Sequence, residues 1–395
     1  MSKSGKMPLP APNPPAVLIV DTCPEMSGAE VTLVAMLKKW DRDRFHPIVA
    51  IPATGTLHRQ LTGIGVETHI IPMDPLVKTR NLLQASSYPL AVFAAVRWLA
   101  RLARERGVVL IHTNSLRAHL YGLLAAKLDR VPAVPYLHDL YSDGWARRGL
   151  ISLFGFSAER IIVNSRSVQA TFDDAPRCRD KVELIYPPLD EGFGPANSPE
   201  KVRAEFRLEG CYPVVGLVAH LHPKKRPEDL IQAAPQVLAE FPTARFLIVG
   251  GTHPAPPGYF EGLVQLVADL GLREWVIFAG FRHDVAEFYT AFDMLVLTSL
   301  GEPFGKVLIE AMASETPVIG TALAGPLEII QDGVTGLLIP PRDPSAVAGA
   351  ILDLARHPAM IKSMGQAGRE WVQDRFGIQK YTADIENLFE TVLTT

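Results

Sequence analysis

The stretch Met294–Ala313, MLVLTSLGEPFGKVLIEAMA, contains the pattern that decides the fold. Its first four residues, Met294–Leu297, are apolar and typical of a buried strand, and a loop with two glycines follows them. The segment from Gly305 onward then has the apolar spacing of a helix. A strand that leads through a glycine-containing loop into a helix is the repeating unit of parallel α/β sheets. We therefore expect an α/β fold.

The same alternation continues outward from this stretch in both directions, and a predicted hinge at Tyr186–Glu200 divides it into two series. Strands are predicted at Val17–Val20, Pro47–Ile51, Thr68–Ile71, Leu110–Thr113, Val134–Leu137, Arg160–Val163 and Val182–Ile185, then at Val214–Val218, Arg245–Val249, Val276–Ala279, Met294–Leu297, Pro317–Gly320 and Gly336–Ile339. Two doubly wound parallel-sheet domains that face each other across a cleft are the simplest arrangement of these elements. The predicted division is a disordered Pro-rich tail at 1–15, domains at 16–188 and 189–370, and a C-terminal helix at 371–395.

The composition is that of an ordinary soluble globular protein, with 48% apolar and 21% charged residues. The three cysteines form no CxxC pair, which argues for a reducing compartment and against a disulfide framework or structural zinc. The first fifteen residues lack the apolar core of a signal peptide. The longest apolar stretch, Pro89–Ala100, is interrupted by Arg97 and is too short to cross a bilayer. We expect a cytoplasmic protein.

Charge is distributed unevenly along the chain. Through Pro187 there are 23 Lys and Arg against 16 Asp and Glu, a net charge of +7, and the remainder has 16 against 26, a net charge of −10. The basic half can face an anionic acceptor or the inner membrane surface as a peripheral contact. An uneven surface without a partner is the simpler alternative, since the chain has no tight basic run. We expect no nucleic-acid partner.

Two glutamates flank the start of the helix in the opening stretch. Gly301 and Gly305 let the backbone approach a ligand closely, and the free N–H groups of the helix start favour a diphosphate. Glu302 lies before the helix, whereas Glu310 lies about 7–8 Å along it from Gly305. Carboxylates accept hydrogen bonds from paired sugar hydroxyls, so one glutamate for each sugar of a sugar nucleotide fits this spacing.

This segment, with Glu302 and Glu310 in Glu-x7-Glu spacing, resembles the signature of the family 4 retaining glycosyltransferases, which have the two-domain GT-B fold. The resemblance implies that Glu302 contacts the transferred sugar and Glu310 the ribose of a nucleotide sugar. It also implies donor contacts at the residues around the helix start, Phe304, Gly305, Lys306 and Val307. The first domain would then bind the acceptor, the second would bind the donor, and the C-terminal helix would cross back to the first domain.

The stretch 215–231, VGLVAHLHPKKRPEDLI, resembles the phosphate-binding loop of the same family, in which an arginine and a lysine neutralise the diphosphate. Lys225 matches the lysine, but His220 stands where the arginine is expected. A neutral imidazole does not replace the five-donor guanidinium. Lys224, Arg226 or a protonated His220 would have to compensate.

Three further segments resemble family loops. Met26–Glu30, MSGAE, matches a glycine loop in which only Gly28 is retained, and backbone approach to donor or acceptor and a simple helix start are both compatible with it. His138 follows a predicted strand and resembles the cleft histidine that approaches the transferred sugar, although a lone histidine there is commonly structural. Gly280–Arg282 resembles the loop around the nucleobase, which makes Arg282 a candidate donor-binding residue.

The resemblance implies a metal-independent, front-face transfer of a hexosyltransferase type, with His138, Lys225 and Glu302 as catalytic candidates and a UDP- or GDP-sugar as substrate. No cofactor or metal is expected. Asp41–Asp43 has the DxD form of metal-binding glycosyltransferases, but it lies between a helix and a strand and is interpreted as a turn. His220-x-His222 lacks an evident third ligand.

Other functions share the predicted architecture, because a fold alone does not specify an activity. A nucleotide-sugar epimerase and a phosphorylase-like enzyme are alternatives from the enzyme class. A catalytically silent nucleotide-sugar-binding scaffold is the alternative from another class, and His220 together with the single glycine at Gly28 favours it. No GxGxxG indicates a nicotinamide dehydrogenase. A lipid, a polysaccharide and a small molecule are all compatible acceptors.

Overall fold

The computed structural model describes residues 14–394 except 72, 74–81, 142–143 and 253–255, so most of the predicted tail at 1–15 lies outside the described residues. The strands are β1 Ala16–Val20, β2 His46–Ile51, β3 Glu67–Ile70, β4 Val108–Thr113, β5 Ala133–Leu137, β6 Ile161–Val163, β7 Val182–Leu184, β8 Val214–Val218, β9 Arg245–Val249, β10 Val276–Gly280, β11 Met294–Leu297, β12 Val318–Thr321 and β13 Gly336–Ile339. The helices are α1 Gly28–Lys39, α2 Thr56–Gly63, α3 Leu82–Glu105, α4 Leu116–Asp129, α5 Trp145–Ser157, α6 Arg166–Gln169, α7 Pro176–Arg179, α8 Glu200–Glu205, α9 Pro227–Leu238, α10 Tyr259–Asp269, α11 Val285–Ala291, α12 Lys306–Ala313, α13 Pro326–Ile329, α14 Pro344–Arg356, α15 Pro358–Arg375 and α16 Ile378–Thr394.

The strands form two separate sheets. The first has seven strands in the order β3-β2-β1-β4-β5-β6-β7, and the second has six in the order β10-β9-β8-β11-β12-β13. The strand pairs of both sheets are parallel. Each sheet reverses its strand order beside its first strand, which is the doubly wound arrangement that places ligands beyond the carboxyl ends of the strands. The predicted α/β architecture of two doubly wound parallel sheets is confirmed.

Strand β1 shows why continuous apolar runs suit the centre of these sheets. Val17 and Ile19 face a core that they share with α1 and α16, whereas Leu18 and Val20 face the opposite core with α3 and α4. Because successive side chains of a strand point to opposite faces, a strand covered on both sides is apolar at every position.

The C-terminal region differs from the sequence prediction. A single helix from residue 371 is predicted, but α15 ends at Arg375 and α16 begins at Ile378. Phe376, between them, is 2% exposed, and its ring packs against those of Tyr186 and Phe304 with centroids 5.8 and 5.5 Å apart. This buried ring and the following glycine interrupt the helix that the sequence predicts as continuous from residue 371.

Helix α16 packs against α1 of the first sheet, and polar contacts fix its position. The Glu386 carboxylate accepts a hydrogen bond from Asp41 N–H at 2.8 Å and pairs with the Arg44 guanidinium at 3.2 Å. The chain therefore returns from the second sheet to the first before it ends.

A second connection joins the sheets near the strand ends. Glu328 of α13 accepts hydrogen bonds from the N–H groups of Arg166 and Ser167 at 2.9 and 3.2 Å, at the start of α6. It also accepts one from the Tyr186 hydroxyl at 3.0 Å. A carboxylate is favourable there because the first N–H groups of a helix have no partner within the helix.

Candidate active site

The loop between β11 and α12 is held in a tight shape by glycines. Gly305 caps the helix with a φ of 106°, in the left-handed region that favours glycine. Gly325 donates its N–H to the Glu302 carbonyl at 3.0 Å, and a Cβ at Gly325 would lie 2.0 Å from the Phe304 carbonyl oxygen. This close approach presents the first turn of α12 toward the first sheet.

Two adjoining cavities lie between the two sheets at this helix start. The cleft cavity has a volume of about 330 Å³, and the central cavity has a volume of about 280 Å³. The cleft cavity brings together most of the predicted donor-binding residues: Gly28, His220, Lys225, Glu302, Lys306, Val307 and Glu310. The central cavity adds three more predicted residues, His138, Phe304 and Gly305. Both cavities are lined by Gly28, where an added Cβ would meet no other atom within 4 Å.

Lys225 and Glu302 form an ion pair on the floor of these cavities. The Lys225 ammonium donates to Glu302 Oε2, and the two side chains are 25% and 13% exposed. The Thr298 hydroxyl holds the lysine loop in place through contacts with the carbonyls of Lys225 and Arg226, at 2.9 and 2.7 Å. A lysine and a glutamate that are 77 residues apart in the sequence are thus brought to one point.

Lys306 contributes its side chain as well as its place at the helix start. Its ammonium donates to Asp190 Oδ2 at 2.6 Å and to the Thr32 hydroxyl at 3.1 Å. Sequence reasoning missed Asp190 and Thr32. The second oxygen of Asp190 is buried and has no hydrogen-bond partner among the described residues.

Glu310 lines the cleft cavity together with Glu302. Its Oε2 accepts a hydrogen bond from the Tyr289 hydroxyl at 2.8 Å, and Tyr289 is fully buried. Loss of solvent raises the pKa of the Glu310 carboxyl, and the nearby Lys306 charge acts in the opposite direction.

His138 ends a chain of polar groups that spans the carboxyl ends of three neighbouring strands. Its Nε2 lies 2.9 Å from Asn114 Oδ1, and Asn114 Nδ2 donates to Asp21 Oδ2 at 2.8 Å. Because the Asn114 amide nitrogen donates to Asp21, the Asn114 atom that faces His138 is the amide oxygen, which can only accept. The proton of the neutral His138 ring is therefore on Nε2. Burial lowers the pKa of His138 to about 3 and, with the Glu30 charge, raises the pKa of Asp21 to about 6. His138 is therefore neutral, with Nδ1 able to accept a hydrogen bond.

Two predicted arginines have other contacts. Arg282 lines neither cavity; its guanidinium binds Glu205 and Asp284 at 2.7 and 2.8 Å. Arg226, a suggested substitute for the missing phosphate-binding arginine, donates to Asp229 at 2.5 Å. Of the three residues suggested to compensate for the missing arginine, Lys224, Arg226 and His220, only His220 lines the cleft cavity.

The Asp41–Asp43 segment is a turn, in which Asp43 N–H donates to Asp41 Oδ1 at 3.0 Å. Within the described residues, no three or more His, Cys, Asp and Glu side chains are grouped so that they could hold a metal ion. None of the helices in the described part of the chain has the length and hydropathy needed to cross a membrane.

Comparisons with known proteins agree with this arrangement. Residues 26–193 match the family Glycosyltransferase Family 4, and residues 199–371 match the family Glycosyl transferases group 1. The N-acetyl-alpha-D-glucosaminyl L-malate synthase of Bacillus anthracis is 27% identical over 80% of this chain and 83% of its own length. The D-inositol 3-phosphate glycosyltransferase of Mycobacteroides abscessus is 30% identical over 78% of this chain and 69% of its own length.

Solved structures resemble the whole chain. The Anabaena protein HepE in complex with UDP-glucose is 25% identical and has a TM-score of 0.82, over 95% of this chain and 99% of its own. The sucrose-phosphate synthase of Thermosynechococcus elongatus shares the fold with a TM-score of 0.76 at 22% identity, over 96% and 99% of the two chains. Since the two family matches cover most of both domains and the similarity to solved structures extends over 95% of the chain, the chain belongs to the family 4 glycosyltransferases and has their GT-B fold.

Proposed function

We propose that this glycosyltransferase moves a sugar from a nucleotide diphosphate sugar to an acceptor hydroxyl, with retention of configuration and without a metal ion. The observation that carries the proposal is the cleft cavity, in which Lys225, Glu302 and Glu310 surround the start of α12. A diphosphate at the helix start would be stabilised by the free N–H groups and by the two lysine ammonium groups there. This supplies the positive charge that a divalent ion provides in other enzymes.

The donor is proposed to be a UDP-sugar, with a GDP-sugar as the alternative. HepE, which is similar over 95% of this chain, binds UDP and UDP-glucose. In the proposed pose Glu310 accepts hydrogen bonds from the ribose hydroxyls and Glu302 from those of the transferred sugar. Neutral His138 accepts a further hydroxyl hydrogen bond at Nδ1, because Asn114 holds its Nε2–H.

In the proposed front-face step, the bond between the anomeric carbon and the phosphate oxygen breaks while the acceptor oxygen bonds to the same face of the sugar. The acceptor proton passes to the departing phosphate oxygen. Lys225 and the N–H groups of α12 stabilise the charge that develops on the diphosphate. A double displacement would need a carboxylate nucleophile, and Asp139 is the first-domain carboxyl that lines the central cavity.

The proposal is tested by incubating the protein with UDP-glucose and measuring UDP release and the anomer of the sugar product by proton NMR. Lys225→Ala should lower the rate about 10²–10³-fold. Lys362→Ala, which removes an exposed lysine of α15, is the matched control and should not change it. A chelator should leave the rate unchanged, and Asp139→Asn should retain turnover with an α-configured product.

Other outcomes point to the alternatives. Binding of UDP-glucose without any release of UDP would favour a silent binding protein. A free sugar isomer in place of a transferred sugar would favour an epimerase. An unchanged rate in Lys225→Ala contradicts the proposed role of the cleft cavity.

A further inference from the structure

A third cavity of about 210 Å³, here named the inner cavity, lies within the first sheet's domain. It is formed by the loops that follow β1, β4 and β5, which are neighbours in the sheet. It shares Ala29, Tyr136, His138 and Asp139 with the central cavity. If the proposed function is correct, a compound in the inner cavity can extend a hydroxyl past His138 to the transferred sugar.

The charged groups that line the inner cavity are acidic. Glu30, in the first turn of α1, is 2% exposed, and its Oε2 accepts a hydrogen bond from Ser27 N–H at 2.9 Å. Asp139 lines the wall shared with the central cavity, and buried Asp21 lies behind Asn114. None of the described residues that line the inner cavity is a lysine or an arginine.

The two histidines of this cavity do not balance that charge. Burial lowers the pKa of His138 to about 3 and that of His119 well below its usual value, so both rings are neutral near pH 7. The cations that act on the cavity lie outside its wall: Lys224 and Lys225 act on Asp139, and Arg117 acts on the Cys23 thiol, where its effect is smaller than those of Glu30 and Asp21. A phosphate or carboxylate placed here would be desolvated beside carboxylates and without a cationic partner on the wall.

We infer that the acceptor group entering the inner cavity is a sugar or other polyol that carries no phosphate or carboxylate. Neutral polyols and amino sugars fit, because hydroxyl and ammonium groups donate hydrogen bonds to carboxylates. The acidic wall thus selects acceptors by charge and excludes anionic ones.

Cys23 allows the charge of the inner cavity to be measured without an acceptor. It lines the cavity and is partly exposed, whereas Cys178 and Cys211 are buried. The reaction rates of Cys23 with a trimethylammonium-ethyl and a sulfonato-ethyl methanethiosulfonate are compared with those of free cysteine. We expect the ratio of the rate with the cationic reagent to the rate with the anionic reagent to be about tenfold higher for Cys23 than for free cysteine. Cys23→Ser gives the background from the other two thiols.

Glu30→Gln tests the origin of this preference and retains the capping box of α1, since glutamine also occupies that position in such boxes. The cationic preference at Cys23 should fall about threefold or more in this variant. An equal reactivity toward both reagents, or a preference for the anionic one, overturns the inference.

A second measurement uses acceptors that share one ring and differ in charge: glucose, glucosamine, glucose 6-phosphate and glucuronate, each with UDP-glucose as donor. Stimulation of UDP release by the first two above the last two supports the inference, and stronger stimulation by an anionic member overturns it. If UDP-glucose is neither hydrolysed nor transferred under any condition, the proposed function fails on this donor. The Cys23 rates still decide the charge of the inner cavity.

Discussion

The stability of an Asp21→Asn variant relative to that of the native chain should increase as the pH rises. Asp21 is fully buried after β1, where it accepts hydrogen bonds from Asn114 Nδ2 at 2.8 Å and from Cys23 N–H at 2.9 Å. Burial, followed by the charge of Glu30, raises the pKa of Asp21 from 3.8 to about 6. The native chain therefore contains a carboxylate that is more costly to ionise in the folded state than in the unfolded state.

The size of this cost follows from the pKa difference. An acid with a raised pKa binds more protons in the folded state, so its contribution to the free energy of unfolding falls as the pH increases. A shift of about two units corresponds to ~3 kcal/mol, which is reached above about pH 7 and is absent below about pH 3. Roughly half of it, ~1.5 kcal/mol, develops between about pH 5 and about pH 8.

Asparagine at position 21 keeps the size of the side chain and one acceptor oxygen. It therefore loses one of the two hydrogen bonds, at a cost of about 1–3 kcal/mol that does not depend on pH. Urea unfolding gives the free energy of unfolding of both proteins at each pH. The difference, Asp21→Asn minus native, should increase by ~1.5 kcal/mol between about pH 5 and about pH 8. Asp43→Asn, at an exposed turn, is the control and should show no such trend. A difference that stays constant or shrinks with pH refutes the assignment of a buried charge to Asp21.

Three further predictions concern the cleft. Tyr289→Phe removes the hydroxyl that donates to Glu310, so the free energy of unfolding should fall by about 1–3 kcal/mol and calorimetry should show weaker UDP-glucose binding. Lys306→Met leaves Asp190 without its cationic partner and should destabilise the protein by about 3 kcal/mol in thermal unfolding. Adding Asp190→Asn should recover much of that loss. Additive effects of the two substitutions would contradict the pairing. Because the pKa of His138 is about 3, the imidazole stays neutral between about pH 5 and about pH 8, and His138→Asn should lower the rate of UDP release without changing the shape of its pH profile.

The fold could be predicted from the sequence because its strands are buried on both faces. Val214–Val218, Arg245–Val249 and Met294–Leu297 have the predicted bounds, since a continuous apolar run ends where the strand leaves the sheet. The break at Phe376 was not predicted, although the glycine after it is a signal for one. Local periodicity does not reveal that Phe376 is held by rings from a distant part of the chain.

The candidate site was predictable where one segment carries it and less so where distant residues meet. Glu302 and Glu310 lie in a single loop and helix, whereas the contact of Lys306 with Thr32 joins residues 274 positions apart. Asp21 and Asn114 each directly follow a strand, and β1 and β4 are adjacent, so polar residues after neighbouring strands were a signal for their hydrogen bond. Resemblance placed Arg282 at the nucleobase, but it does not account for the two carboxylates that bind its guanidinium.

The ion pairs of the cleft bear on how a donor would bind. Lys225 is held by Glu302, so a diphosphate at the start of α12 would compete with that carboxylate for the ammonium group. If the proposed function is correct, transfer of Lys225 to the phosphates releases Glu302 to accept hydrogen bonds from the sugar hydroxyls. The two groups would then exchange partners, so that neither charge is left buried without a partner, an arrangement that would be strongly destabilising. On this proposal, replacing Lys225 would weaken phosphate binding and would also change the charge environment of Glu302. The free energies of UDP-glucose binding in a Lys225–Glu302 double-mutant cycle, measured by calorimetry, should therefore be strongly non-additive.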